Sequence, residues 1–119
     1  MKQTEKFKKD LLEAYDIRSL SLSPDLNAWY EWFEFYVAQV YNPILKSIEK
    51  DASILDLGCS RGGLLRALSI QGYSNLIGVD LSSGDLAIAK NFNPEINFHH
   101  QDIFDFLREN PNKFKVIFL

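Results

Sequence analysis

Along the first fifty residues the apolar positions recur every three or four places, and after Asp51 they contract into short runs separated by helical stretches. The first pattern is that of amphipathic helices, the second that of strand-helix-strand units feeding a parallel sheet. Phe7, Leu11, Leu12 and Tyr15 predict a short helix over residues 6–15. Ser23-Pro24-Asp25 then supplies an N-cap, a first-turn proline and an acid at the positive helix end, so a second helix starts there. It carries Leu26, Trp29, Phe33, Val37, Val40, Ile44 and Ile48 along one side, widened by Trp32, Phe35, Tyr36 and Tyr41. Pro43 predicts a kink, or a split after Tyr41. Two compatible roles fit this aromatic belt: packing on a sheet, and lining a ligand cleft as a lid. Residues 1–50 are therefore expected to form a helical cap or lid, and residues 51–119 an α/β domain.

Within the second part the pattern predicts strands over 53–57, 75–80, 96–100 and 114–119. Helices are expected between them. One runs from about Gly62 to Ile70, closed by Gly72 in the left-handed conformation. The next opens with Ser82 and Asp85 as a capping box and runs to Lys90, Asn93-Pro94 terminating the unit, and a third covers 103–108. The mixed polarity of 96–100 suits a sheet edge.

The segment Ile54-Leu55-Asp56-Leu57-Gly58-Cys59-Ser60-Arg61-Gly62-Gly63 is a strand running into a glycine-rich turn and then a helix. Gly58 permits a tight turn with no Cβ in the way, and Gly62 and Gly63 let the helix start lie against sheet and ligand. In open α/β sheets ligands sit beyond the carboxyl ends of the strands, where this turn lies. Asp80 ends the second strand about twenty residues later, where a carboxylate can accept hydrogen bonds from ribose hydroxyls. A dinucleotide fold shares much of this order. However, Ser60 occupies the position of the second glycine in G-x-G-x-x-G, and Asp56 would set a negative charge near any pyrophosphate. A ligand with an ammonium group suits Asp56 better.

Asp56-x-Gly58-x-Ser60-x-Gly62 resembles the D/E-x-G-x-G-x-G signature of class I S-adenosylmethionine-dependent methyltransferases, with Ser60 in place of the commoner middle glycine. The resemblance runs from about Ser53 to Leu119. It implies a Rossmann-like three-layer α/β sandwich with a mainly parallel sheet in the order 3-2-1-4, ending after the fourth strand. It implies S-adenosyl-L-methionine as cofactor, the methionine moiety held by Asp56 and the Gly58 to Gly62 backbone, with Cys59 as a small filler beside it. Asp80 would hold the ribose, Leu81 would flank the adenine, and Asp102 with Ile103 would meet the adenine edge. Asp102 reads equally as the N-cap of the next helix. A binding module without activity is the alternative function; a nicotinamide-dependent oxidoreductase is a more distant one.

Composition narrows the partners. With 119 residues, 46% of them hydrophobic, the chain can fill one core. A net charge of -3 and no basic stripe give no support to nucleic-acid binding and favour a small-molecule acceptor. The layout also resembles bacterial methyltransferases acting on small molecules or surface-glycan precursors, which implies such an acceptor. Apolar runs fall far short of the roughly 20 residues a membrane helix requires. One cysteine and no apolar leader at Met1-Lys2-Gln3 suggest the cytoplasm. His99 and His100, adjacent on a strand, point to opposite faces and do not pair on a metal; no metal site is expected. Arg61 could reach the ligand carboxylate, but an arginine in an exposed turn is expected to be solvated, as are Asp85, Asp105 and Glu109, and no catalytic acid-base pair is visible. The apolar 116–119 strand would expose an edge that a homo-oligomer or another partner could cover.

Overall fold

The computed structural model describes residues 26–119. The helix expected over 6–15 and the Ser23-Pro24-Asp25 cap lie outside the described residues. Helix α1 (Leu26–Tyr36) runs through a π-helical turn (Val37–Tyr41) into α2 (Asn42–Leu45). Pro43 is the cause of the change. It stands in the first turn of α2, where its missing N–H costs nothing, and the preceding ladder widens so that Asn42 N–H reaches Val37 O. The helical path thus splits after Tyr41 without leaving the helix.

Strands and helices then alternate: β1 (Ile54–Leu57), α3 (Gly63–Ile70), β2 (Leu76–Asp80), α4 (Ser83–Phe92), β3 (Asn97–His100), α5 (Ile103–Glu109) and β4 (Val116–Phe118). All pairings are parallel, in the order β3-β2-β1-β4. Each strand is shorter than expected. Phe114 leaves the strand to pack beside Phe106, and Leu119 stands in solvent, so β4 keeps only three residues. β1 is buried at all four positions, as a strand flanked on both edges and covered on both faces must be.

Alternation along the strands divides the core in two. Ile54, Leu76 and Phe98 face one side with Leu65 and Leu68 of α3, Leu86 and Ala89 of α4, and Val37 and Leu45. Leu55, Leu57 and Val79 face the other, under Phe106 of α5. This second layer is thinner: Ile117, in register with Leu55, is 47% exposed.

Helix α1 lies directly on the start of α3. A Cβ on Gly63 would stand 2.3 Å from the Phe33 ring, a distance no packed pair tolerates, so glycine at 63 sets how closely the two helices approach. Trp29 and Tyr30 are buried in the same contact, and Tyr41 meets Phe118 edge-on across the sheet. The aromatic belt therefore packs, the first of its two expected roles.

Candidate functional site

The carboxyl ends of β1 and β2 open side by side, and the chain turns sharply after each. After β1, Gly58 (φ +82°), Ser60 (φ +53°) and Gly62 (φ +80°) all take left-handed conformations. Gly58 and Cys59 donate their N–H groups to Val79 O at 2.7 and 3.1 Å, which ties the turn to the neighbouring strand. Nothing lies within 4 Å of a Cβ built on Gly58, whereas one on Gly62 would come within 2.9 Å of Phe98. Gly58 is thus required by its dihedral and leaves open space above it; Gly62 is required by its dihedral and by packing. Ser60 sustains a left-handed angle that costs an L-residue roughly 1–2 kcal/mol. Two carboxylates hold it there: its N–H donates to Asp80 Oδ2 at 2.8 Å and its hydroxyl to Asp85 Oδ2 at 3.2 Å.

Asp56 is the unusual group. It sits inside β1, beside Gly78 of β2 and Phe118 of β4, and is only 7% exposed. Its carboxylate has no hydrogen-bond or ion-pair partner among the described residues. Burial, assisted by the charge of Asp80, pushes its pKa from the ordinary 3.8 up to about 7. Gly78 beside it makes room for Cys59 and Phe98, since a Cβ there would stand 2.8 Å from Cys59 Sγ and from Phe98. Cys59 is buried, and burial with the nearby Asp56 and Asp80 pushes its thiol well above the ordinary range. Such a thiol is not a nucleophile at neutral pH.

Asp80 binds more of its own chain than its place in the sequence suggests. Besides Ser60 N–H, its other oxygen accepts Ser82 N–H at 2.8 Å, so one carboxylate cross-links the turns after β1 and β2 while keeping lone pairs for a ligand. Leu81 is largely exposed beside it, and its carbonyl lies 2.9 Å from His100 Nε2. Asp102 caps α5, with Oδ1 accepting the N–H groups of Phe104 and Asp105 at 2.9 and 3.0 Å. Ile103 turns its side chain towards the second core layer, with Phe106 and Leu57.

Two expectations need correction. Arg61 is not simply solvated, nor is Asp85: Arg61 Nε donates to Asp85 Oδ1 at 3.3 Å, with side chains only 16% and 24% exposed. The glycine turn and the first turn of α4 enclose the pair and keep water from most of it. Asp85 serves two purposes, because its N–H also donates to Ser82 Oγ in the expected cap.

Three residues at this site carry no signal in the sequence that points to it: Tyr30, Phe33 and Asn93. Tyr30 donates its hydroxyl to Arg61 O at 2.8 Å and accepts from Asn93 Nδ2 at 3.3 Å. These bonds span 31 and 63 residues of chain, so no local spacing signals them. Asn93, which reads in sequence only as a terminator of the preceding helix, is buried; it caps α4 and accepts from Arg66 Nη1 at 3.0 Å.

Fold and site together describe a parallel α/β sandwich with a glycine-rich turn and two carboxylates gathered towards the carboxyl ends of β1 and β2. Residues 54–119 match the methyltransferase domain family, and the chain belongs to it. This membership displaces the nicotinamide alternative. Over 57 residues the chain is 42% identical to dTDP-3-amino-3,6-dideoxy-alpha-D-glucopyranose N,N-dimethyltransferase of Streptomyces fradiae, an alignment that covers 48% of this chain and 22% of the relative. The plantazolicin methyltransferase BpumL, solved with S-adenosylhomocysteine, superposes with a TM-score of 0.58 at 27% identity, covering 96% of this chain and 48% of that one. CalS10, an amino pentose methyltransferase from Micromonospora echinaspora solved with S-adenosylmethionine, gives 0.51 at 26% identity over 59% of this chain and 29% of its own. The chain thus spans less than half the length of each of these relatives.

Proposed function

We propose that this chain forms the cofactor-binding part of an S-adenosylmethionine-dependent methyltransferase acting on a small-molecule acceptor. One observation carries the reading: a buried carboxylate, Asp56, without a partner among the described residues, beside a second acid and below the open space over Gly58. Such a site lacks a cation, and the ammonium of the methionine moiety has the charge and donors it needs. Asp56 and the turn from Gly58 through Cys59 and Ser60 to Gly62 would hold that moiety. Asp80 would receive the ribose through its remaining lone pairs, Leu81 would flank the adenine, and Asp102 with the Ile103 backbone would meet its edge.

When bound, the cofactor supplies an electrophilic methyl group on a sulfonium. The protein's own contribution is alignment and exclusion of water, so no strong acid or base is required of these residues. Cys59 fills space beneath the turn. The Streptomyces and Micromonospora relatives, both named for amino sugars, support the amine of an amino sugar or a related glycan precursor as acceptor. No described helix is long and apolar enough to cross a membrane. A buried free thiol suits a reducing, cytoplasmic setting. The outer edge of β4 pairs with no strand among the described residues, and further sheet or a partner chain would cover it.

Isothermal titration with S-adenosylmethionine and S-adenosylhomocysteine tests this reading, with Asp80→Ala as control. Saturable binding that weakens at least tenfold in the variant is the expected result. A folded chain that takes up neither ligand refutes it.

A further inference from the structure

The matched family segment begins at Ile54, yet the glycine turn is held partly from α1, upstream of that segment. The peptide joining Arg61 to Gly62 is fastened at both ends. Its N–H donates to Cys59 O at 2.9 Å, inside the turn, and its carbonyl accepts the Tyr30 hydroxyl at 2.8 Å. The hydroxyl is in turn fixed by Asn93 Nδ2 at the C-cap of α4, and Asn93 by Arg66 of α3, whose guanidinium lies 4.7 Å from the centre of the Tyr30 ring. Tyr30 and Asn93 are both buried, so water does not substitute for either bond. One phenol therefore joins α1, the turn, α3 and α4. A turn with three left-handed residues has other conformations within easy reach, and fixing one peptide plane removes many of them.

We infer that Tyr30 is a positioning residue of the cofactor site: its hydroxyl sets the Arg61-Gly62 peptide and thereby the shape of the turn that receives the methionine end of the ligand. The inference rests on the proposed reading of the cleft as an S-adenosylmethionine site. It goes beyond that reading in making α1 part of cofactor recognition rather than a cover alone. Asp80 stands on β2 and is held by Ser82 N–H as well as by Ser60 N–H of the turn. Its place, which would receive the ribose, therefore depends less on the Arg61-Gly62 peptide than the Gly58 to Gly62 backbone does, and the effect falls mainly on ligands that carry the amino-acid moiety.

The test compares the wild-type chain with Tyr30→Phe, which keeps the ring and removes the hydroxyl, using S-adenosylhomocysteine and adenosine as probes. The variant loses two hydrogen bonds, of which only the one to Arg61 O holds the turn, Asn93 Nδ2 keeping its bond to Ala89 O. Loss of that one buried bond corresponds to roughly a tenfold change in an equilibrium. S-adenosylhomocysteine is expected to bind about tenfold more weakly to the variant, with adenosine affinity changed less than about twofold. Equal losses for both ligands, or no loss for either, overturn the proposal, since a merely structural tyrosine gives one of those results. Amide hydrogen exchange without ligand probes the turn directly: the Gly62 N–H should exchange about tenfold faster in Tyr30→Phe while Leu55 and Val79 keep their rates. Uniform acceleration, or none, counts against Tyr30. If the wild-type chain binds neither probe, the cofactor reading fails, and the exchange result alone decides whether Tyr30 sets the turn. Should Tyr30→Phe not fold, Asn93→Ser loosens the hydroxyl while keeping it, and both readouts should move the same way by a smaller factor.

Discussion

Asp56→Asn is expected to make the ligand-free protein more stable at neutral pH while weakening its binding of cofactor. In the folded chain the Asp56 carboxyl is held neutral up to about pH 7; in the unfolded chain it ionises near its ordinary 3.8. The folded state binds the extra proton between these values, so this group's contribution falls as pH rises from about 4 to about 7 and is constant above. At 1.36 kcal/mol for each pH unit, the loss by pH 8 approaches about 4 kcal/mol. Asparagine carries no such dependence. Its own desolvation cost is the same at every pH, so the informative quantity is the change with pH in the stability difference between variant and wild type. Urea unfolding followed by the fluorescence of Trp29 and Trp32, from pH 4.5 to 8.5, should show that difference moving in the variant's favour by about 3 kcal/mol, the rest of the change lying below pH 4.5. Two parallel curves would refute the reasoning, because they would mean that Asp56 ionises freely in the fold. Added S-adenosylhomocysteine should reverse the order at pH 8, stabilising the wild-type chain far more than the variant.

Other substitutions separate packing from binding. Gly63→Ala forces a Cβ onto the Phe33 ring and should cost about 1–3 kcal/mol in urea unfolding, although alanine favours a helix. Gly58→Ala meets no neighbour, so its cost should be only the roughly 1–2 kcal/mol of a left-handed alanine, with a further loss of S-adenosylhomocysteine affinity by titration. Asp102→Ala removes the α5 cap and should cost about 1 kcal/mol, while Asp102→Asn caps as well and should unfold like wild type. A drop in cofactor affinity with Asp102→Asn would then report contact with the ligand rather than loss of the helix.

Much of the architecture was legible because it depends on neighbours in sequence. The four strands and the split at Pro43 follow from alternation, helical spacing and one missing N–H, while the strand order came from the family resemblance. Gly72 adopts the left-handed angle expected past a helix end and Gly58 makes the expected tight turn; Gly62, expected for the close approach of the helix start, is left-handed as well. The strand ends were less legible: Phe114 reads as strand by its apolarity but is drawn off by Phe106, a competition no local pattern contains.

The sequence by itself determined the parallel sheet, the glycine turn after β1 and the placing of Asp56 near the end of β1 and Asp80 at the end of β2, since each depends on periodicity and on dihedrals that only certain residues tolerate. Tertiary structure alone decided how the cleft is charged and held. Asp56, between Gly78 and Phe118 in the sheet, is buried without a partner among the described residues, and Asp80 spends part of its carboxylate on Ser60 and Ser82. Arg61 closes on Asp85, and Tyr30 reaches the turn from another helix. The bonds from Ser60 to Asp80, Arg61 to Asp85 and Tyr30 to Arg61 join residues 20 to 31 positions apart, and only the packing of helices on the sheet brings them within hydrogen-bond reach.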